Sequence, residues 1–199
     1  MPHASAPSPR AAPSVPQFLS SARRRRWLSA VAGLALLIVL ILADRQGWLL
    51  HEAGDWRRYE GGSFRVVYVV DGDTLDIDAA DGDRPTTRVR LWGVDTPETA
   101  KPREGKPAQP FADEAEAYTR RVSQGQVVRL TLQAHEVRDR YHRLLAYVEL
   151  PDGSLLNERL LSEGLARHDP RFPHEKMSRY ELIERQARVE KRGMWGALK

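Results

Sequence analysis

Three carboxylates and two arginines stand at spacings that suit handling a phosphate beside a hard cation. Asp73 lies in the run Val69-Val70-Asp71-Gly72-Asp73-Thr74-Leu75, and Asp95 and Glu98 close the run Arg88-Val89-Arg90-Leu91-Trp92-Gly93-Val94-Asp95-Thr96-Pro97-Glu98. Each run reads as an apolar strand ending on acidic residues, so laying the strands side by side brings Asp73, Asp95 and Glu98 near Arg90. Acidic groups crowded in this way repel unless a cation lies among them. Oxygen ligands at Asp73 and Asp95 suit Ca²⁺ or Mg²⁺, whereas zinc would want imidazole or thiolate. An arginine beside them suits an anionic substrate that bridges to the cation. A second cluster, Asp139-Arg140-Tyr141-His142-Arg143-Leu144-Leu145-Ala146-Tyr147, is a basic and aromatic turn leading straight into a strand. Such a turn can set Arg143 against a phosphate and Tyr141 against a base or sugar, while the plainer reading is an exposed charged loop.

Taken singly, these signals have plainer readings. Asp-Gly-Asp between strands is a common hairpin turn, and Asp-Thr-Pro-Glu is a helix N-cap with proline at the first helical position. They gain meaning together, because both fall at the ends of neighbouring strands and Arg90 precedes Asp95 on the second. Asp76 and Asp78 read as solvent-facing strand positions, and Arg88 as lying outside the site although it shares a strand face with Arg90. His51, His135, His168 and His174 have no metal-ligand spacing and read as surface residues. Trp92 reads as core.

The elements that must position these groups follow from periodicity. Residues 64–70, 74–78 and 87–92 read as strands, with turns at Asp71-Gly72 and Asp81-Gly82-Asp83. Residues 99–109, with Pro102, Gly105 and Pro107, form a loop. Phe111, Ala115, Tyr118 and Val122 fall on one stripe of a helix over residues 110–123 that stops at Gly125. Residues 127–132 and 144–150 are two more strands, a short helix carries Leu156, Leu160 and Leu161 to Gly164, and a last helix covers residues 174–191 with Gly193 beyond its end. Five short strands with a helix between the third and fourth is the order of an OB-type barrel, whose open face often takes oligonucleotides.

Charge and composition limit the function classes. Of 199 residues 41% are hydrophobic, enough for a core, and there are no cysteines, which excludes a disulfide framework, thiolate zinc sites and a cysteine nucleophile. The net charge of +4 is not spread evenly. Residues 1–43 carry roughly five arginines and no acid, residues 44–100 roughly 7 basic and 12 acidic groups, and residues 101–199 roughly 19 and 15. An acidic half bearing the carboxylates and a basic half suit a metal site facing a polyanion groove.

The N-terminal part is organised differently. Residues 1–26 read as a disordered cytoplasmic tail rich in Pro, Ala and Ser that ends in the basic run Arg23 to Arg26. Residues 27–43 are apolar and small throughout, and roughly 17 residues at about 1.5 Å each span about 26 Å, just long enough for one transmembrane anchor. The arginines should stay cytoplasmic, which makes the chain a single-pass cell-membrane protein with its domain periplasmic or extracellular; secretion after signal cleavage is the alternative. Residues 44–62 read as a linker and 63–198 as the folded domain.

The motifs Val70-Asp71-Gly72-Asp73-Thr74, Arg90-Leu91-Trp92-Gly93-Val94-Asp95-Thr96-Pro97-Glu98 and Asp139 to Tyr147 resemble, in order and spacing, those of the staphylococcal-nuclease-like (thermonuclease) family. Leu156-Asn157, Leu161 and Gly164-Leu165-Ala166 resemble its second helix and exit, and the likeness covers residues 64–198. It implies an α+β, mainly β fold, an OB-fold barrel of five strands with three helices, and a calcium-dependent phosphodiesterase that cuts DNA and RNA to leave 3′-phosphates. By position, Asp73, Asp95 and the Thr96 main-chain carbonyl would bind Ca²⁺, and Glu98 would orient or deprotonate the attacking water. Arg90 and Arg143 would bind the phosphate, with Arg140 and Tyr141 as substrate contacts. His142 stands where the family commonly has glycine, and Phe172 is the only aromatic in residues 167–173. The competing reading is a non-catalytic OB-type module that binds nucleic acid or protein at the membrane. No protein partner follows from the sequence.

Overall fold

The computed structural model describes residues 18–43, 48–100, 105–134, 136–171 and 173–197. The chain divides into two units, Met1–Trp48 and Leu49–Lys199. In the first, α1 (Phe18–Ala43) is one continuous helix whose described side chains are exposed. The helix thus begins inside the segment expected to be a tail. Among the described residues no helix is long and apolar enough to cross a membrane. The tail residues 1–17 lie outside the described residues.

The second unit is built on β1 (Ser63–Val69), β2 (Thr74–Ile77), β3 (Thr87–Leu91), β5 (Val127–Thr131) and β6 (Leu144–Glu149), which close into a barrel in the order β1-β2-β3-β6-β5. All pairs are antiparallel except β3 with β6. Along β3, Thr87, Val89 and Leu91 point into the core while Arg88 and Arg90 point away from it, the period-2 alternation of a half-buried strand. The core is filled by branched side chains from every strand, Val66, Ile77, Val89, Leu130 and Val148 among them. Each is wholly or almost wholly buried, so cutting Ile77 or Leu130 back to alanine would cost about 2–5 kcal/mol.

Three helices of the expected order pack on the barrel: α3 (Ala112–Ser123), α4 (Leu156–Ser162) and α5 (Met177–Val189), with a short α6 (Met194–Ala197) after them. The apolar or small face of α3, Ala115, Thr119 and Ser123, is buried. Thr119 Oγ1 donates to the Gly72 carbonyl at 2.6 Å, which pins the Asp71-Gly72-Asp73 turn to the helix. A side chain at position 72 would strike Ala115 and Thr96, so only glycine lets the turn approach so closely. Asn157 of α4 is buried and ties two strand ends together. Its Oδ1 accepts from the Val148 amide and its Nδ2 donates to the Trp92 carbonyl, each at 3.0 Å. A two-stranded ribbon of β4 (Val94–Asp95) and β7 (Arg167–His168) pairs Asp95 with Arg167.

Three sequence expectations give way. Residues 44–62 are not simply a linker, because α2 (Trp48–Tyr59) occupies most of them. Tyr59 is buried with its hydroxyl 2.8 Å from Thr87 Oγ1, and Asp55 bonds Arg138 at 2.6 and 3.0 Å. Asp76 is buried rather than solvent-facing, because barrel closure covers β2 on both sides, and Arg88 chelates it at 2.9 and 3.0 Å. That pairing keeps Arg88 away from the acidic strand ends, as expected. Finally, His174 is buried and His168 half-buried rather than on the surface. His135 and the side chain of His51 lie outside the described residues.

The His174 ring packs against Tyr180 (5.0 Å between centroids), His168 (5.5 Å) and Tyr147 (6.1 Å), with Nδ1 3.1 Å from the Tyr147 hydroxyl. Burial, then the neighbouring His168 and Lys176, against the opposing pull of Glu175 and Asp169, push His174 down to about 4. The unfolded chain therefore takes up a proton near pH 6.5 that the folded chain refuses. The share of stability from this group should be complete above pH 6.5 and should fall as pH drops toward 4, losing about 3 kcal/mol. Urea unfolding at several pH values checks it, because His174→Gln should remove that share of the slope.

Candidate active site

The two strand ends converge as their spacing predicts. Asp73 is carried just ahead of β2, Asp95 ends β4, and Arg90 of β3 lies between them. Arg90 Nε sits 3.1 Å from Asp73 Oδ1 and its Nη2 donates to Asp95 Oδ1 at 3.1 Å. Its Nη1 donates to the carbonyls of Val94 at 2.6 Å and Leu91 at 2.9 Å. Arg90 is therefore largely spent on protein oxygens, a brace that holds the carboxylates together more than an open phosphate fork. Asp73 is buried, and Thr96 donates to its Oδ2 through both the amide (2.8 Å) and the hydroxyl (2.9 Å), while Thr74 Oγ1 donates to Oδ1 at 3.1 Å.

These groups open on a cleft of ≈ 530 Å³ also lined by Glu98, Asp139, Arg140, Tyr141 and Arg143. Arg143 enters from the other side. Asp139 Oδ2 accepts from its Nε at 2.7 Å and lies 2.7 Å from its Nη2, and Nη1 reaches Thr74 Oγ1 at 3.4 Å. The 138–143 turn is held by Arg138, which bonds Asp55 of α2, Asp81 and the His142 carbonyl at once. His142 has φ 62°, the left-handed conformation that glycine adopts without strain and that is costly for a residue with a side chain. Tyr141 is exposed, with the guanidiniums of Arg140 and Arg143 at 4.8 and 5.5 Å from its ring centre. Phe172 lies outside the described residues. Glu98 is exposed at the cleft, and its backbone is fixed by Gln109, whose Oε1 accepts from the Glu98 amide at 3.1 Å and whose amide donates to the Glu98 carbonyl at 2.9 Å. The structure thus brings together Asp73, Arg90, Asp95, Thr96, Glu98, Arg140, Tyr141 and Arg143.

Three further groups were not singled out in the sequence. Asp71 lines the cleft, and burial, with the Asp73 charge beside it, pushes its carboxyl up to about 7. Asp169 and Arg171 arrive on the segment after β7, about seventy residues beyond Asp95, and only the β4–β7 pairing puts them there. No local pattern marked them.

The donor set suits calcium chemically. Asp73 and Asp95 offer oxygen only, burial raises the Asp95 carboxyl, Asp73 repels it further, and Arg90 and Arg171 only partly offset this. A divalent cation would relieve that crowding. Among the described residues no group of three or more histidine, aspartate or glutamate side chains is placed to hold a metal by itself, so carbonyl and water oxygens would complete the sphere, as calcium allows.

Comparison with known proteins agrees with this geometry. The staphylococcal nuclease homologue family matches residues 88–197. The thermonuclease of Staphylococcus hyicus is 40% identical over 136 residues, 67% of this chain and 75% of the relative. The thermonuclease of Staphylococcus intermedius is 43% identical over 130 residues (65% and 71%), and endonuclease YncB of Bacillus subtilis (strain 168) 35% identical over 130 residues (63% and 58%). A closed five-stranded barrel with its acidic strand ends facing an arginine-lined cleft defines an OB-fold hydrolase site. The chain belongs to the staphylococcal nuclease family.

Proposed function

We propose that this nuclease of the staphylococcal nuclease family hydrolyses phosphodiester bonds of both DNA and RNA with calcium, leaving 3′-phosphate and 5′-hydroxyl ends. The observation that carries the reading is the Asp73–Arg90–Asp95 bridge, set in one cleft with Glu98 and Arg143. Asp73, Asp95 and the Thr96 carbonyl would hold the calcium. When bound, the ion neutralises charge that develops on the phosphate. Arg143, fixed by Asp139, presents its remaining N–H groups to the phosphate oxygens, and Arg90 keeps the two carboxylates at ligand spacing. Glu98 takes a proton from the attacking water as its oxygen adds to phosphorus. The bond to the 5′ oxygen breaks, and that oxygen takes a proton from solvent water while the proton held by Glu98 returns to solvent. Arg140 and Tyr141 meet the sugar and base of the bound strand.

We further propose that residues 27–43 anchor the chain in the cell membrane with the domain outside the cytoplasm, supported by the four arginines ahead of an apolar run. One experiment on the full chain tests both parts: calcium-titrated digestion of DNA and RNA, with end groups of the products identified and activity followed in membrane and soluble fractions. Calcium-dependent cleavage of both polymers to 3′-phosphates is expected, with activity in the membrane fraction. Binding of oligonucleotide without cleavage at millimolar calcium would favour a binding module instead.

A further inference from the structure

A chain of contacts joins Arg143 to Arg171 through the carboxylates. Arg143 reaches Thr74 (3.4 Å), Thr74 reaches Asp73 (3.1 Å), Asp73 faces Arg90 (3.1 Å), Arg90 bonds Asp95 (3.1 Å), and Asp95 Oδ2 lies 3.8 Å from Arg171 Nη2. Arg171 and Arg143 are therefore the two ends of this chain of contacts, and both line the cleft. Arg171 is also aimed rather than loose. Asp169, 5% exposed, accepts from its Nε (2.8 Å) and amide (3.1 Å) through Oδ1 and from its Nη2 (2.7 Å) through Oδ2, and the Asp169 amide is tied to the Gly93 carbonyl at 3.0 Å. Gly93 is itself closely confined, because a Cβ there would strike the buried His174 ring. A buried carboxylate on a packed backbone thus orients an arginine whose side chain is 67% exposed at the cleft.

Such a group is preorganised for an anion. A polynucleotide brings a phosphate on every residue, so a strand whose scissile phosphate lies by Arg143 must set a neighbouring phosphate further along the cleft. We propose that Arg171, oriented by Asp169, binds the non-scissile phosphodiester next to the cleaved one. Arg171 is then a substrate-binding residue and Asp169 a positioning residue. The inference rests on the nuclease reading, so its test separates the two.

In the full chain at saturating calcium, Arg171→Ala should raise KM for DNA about tenfold with kcat nearly unchanged. It should also flatten the dependence of log KM on log salt by about 0.7–0.9, the signature of one lost phosphate contact. Arg171→Lys should restore the slope and part of the KM. Arg171→Gln reads the same slope if alanine leaves Asp169 too poorly paired to fold. An unchanged KM and slope, or a loss confined to kcat, would overturn the proposal. The same slope is read from equilibrium binding of an oligothymidylate lacking terminal phosphates to Glu98→Ser. A difference between Glu98→Ser and Glu98→Ser/Arg171→Ala there, with no cleavage by the native chain, would sink the hydrolytic reading and keep the phosphate contact. No difference there, with native cleavage intact, would do the reverse.

Discussion

Glu98→Ser should lower the rate of phosphodiester hydrolysis by about 10² to 10⁴, the usual contribution of a positioned general base, while the barrel stays intact. Glu98 is exposed at the rim of the cleft and contributes nothing to the hydrophobic core. Its amide and carbonyl are both bonded to Gln109, and those backbone bonds survive shortening of the side chain. An exposed substitution of this kind changes stability by about 0.5 kcal/mol or less. The loss should therefore appear in kcat at saturating calcium, with an unchanged thermal midpoint and calcium affinity. A variant that kept most of its kcat would remove Glu98 from the chemistry and leave water activation to some other group in the cleft.

Arg143→Lys should lower kcat by about 10² to 10³, by analogy with loss of one preorganised oxyanion donor. The arginine is set by a single carboxylate: Asp139 takes its Nε and lies against its Nη2, and the Asp139 Oδ1 also accepts the Arg143 amide at 3.0 Å. That arrangement leaves some N–H groups of the planar fork unbonded to Asp139, and in the proposed reaction these would meet two phosphate oxygens. Lysine can keep the ion pair with Asp139, but its ammonium is a point charge that cannot serve the carboxylate and two phosphate oxygens from one plane. Charge is retained, so KM and its salt dependence should move little while kcat falls. Steady-state kinetics over a range of salt concentrations separates this from the behaviour expected of Arg171, where KM and salt slope move and kcat does not. Equal losses in both variants would mean that the two guanidiniums grip the same phosphate.

How much of this was readable beforehand differs from group to group. The strand pair that brings Asp73 to Arg90 and Asp95 was legible because apolar alternation marks strands locally, and the residues just past a strand end must lie near those of its neighbour. The same logic placed Arg88 and Arg90 on one face, yet it misjudged Asp76. Its surroundings depend on closure of the barrel over β2, a contact between segments far apart in sequence. The helix over Trp48–Tyr59 is poorly marked in the sequence for a similar reason. Its hold on the domain comes from Asp55 reaching Arg138 and from Tyr59 reaching Thr87, partners that no local window contains.

By itself, then, the amino-acid order determined the strand and helix sequence and the barrel class, and it marked most of the carboxylates and arginines that line the cleft, because periodicity, turn residues and side-chain chemistry act over a few residues. Only the tertiary structure decided that Arg90 is a brace spent on its own neighbours, that His174 is buried and held neutral, and that Asp169 and Arg171 join the cleft from beyond β7. Those outcomes depend on which distant backbones pair and which side chains lose their water, and both are settled by packing across the whole barrel.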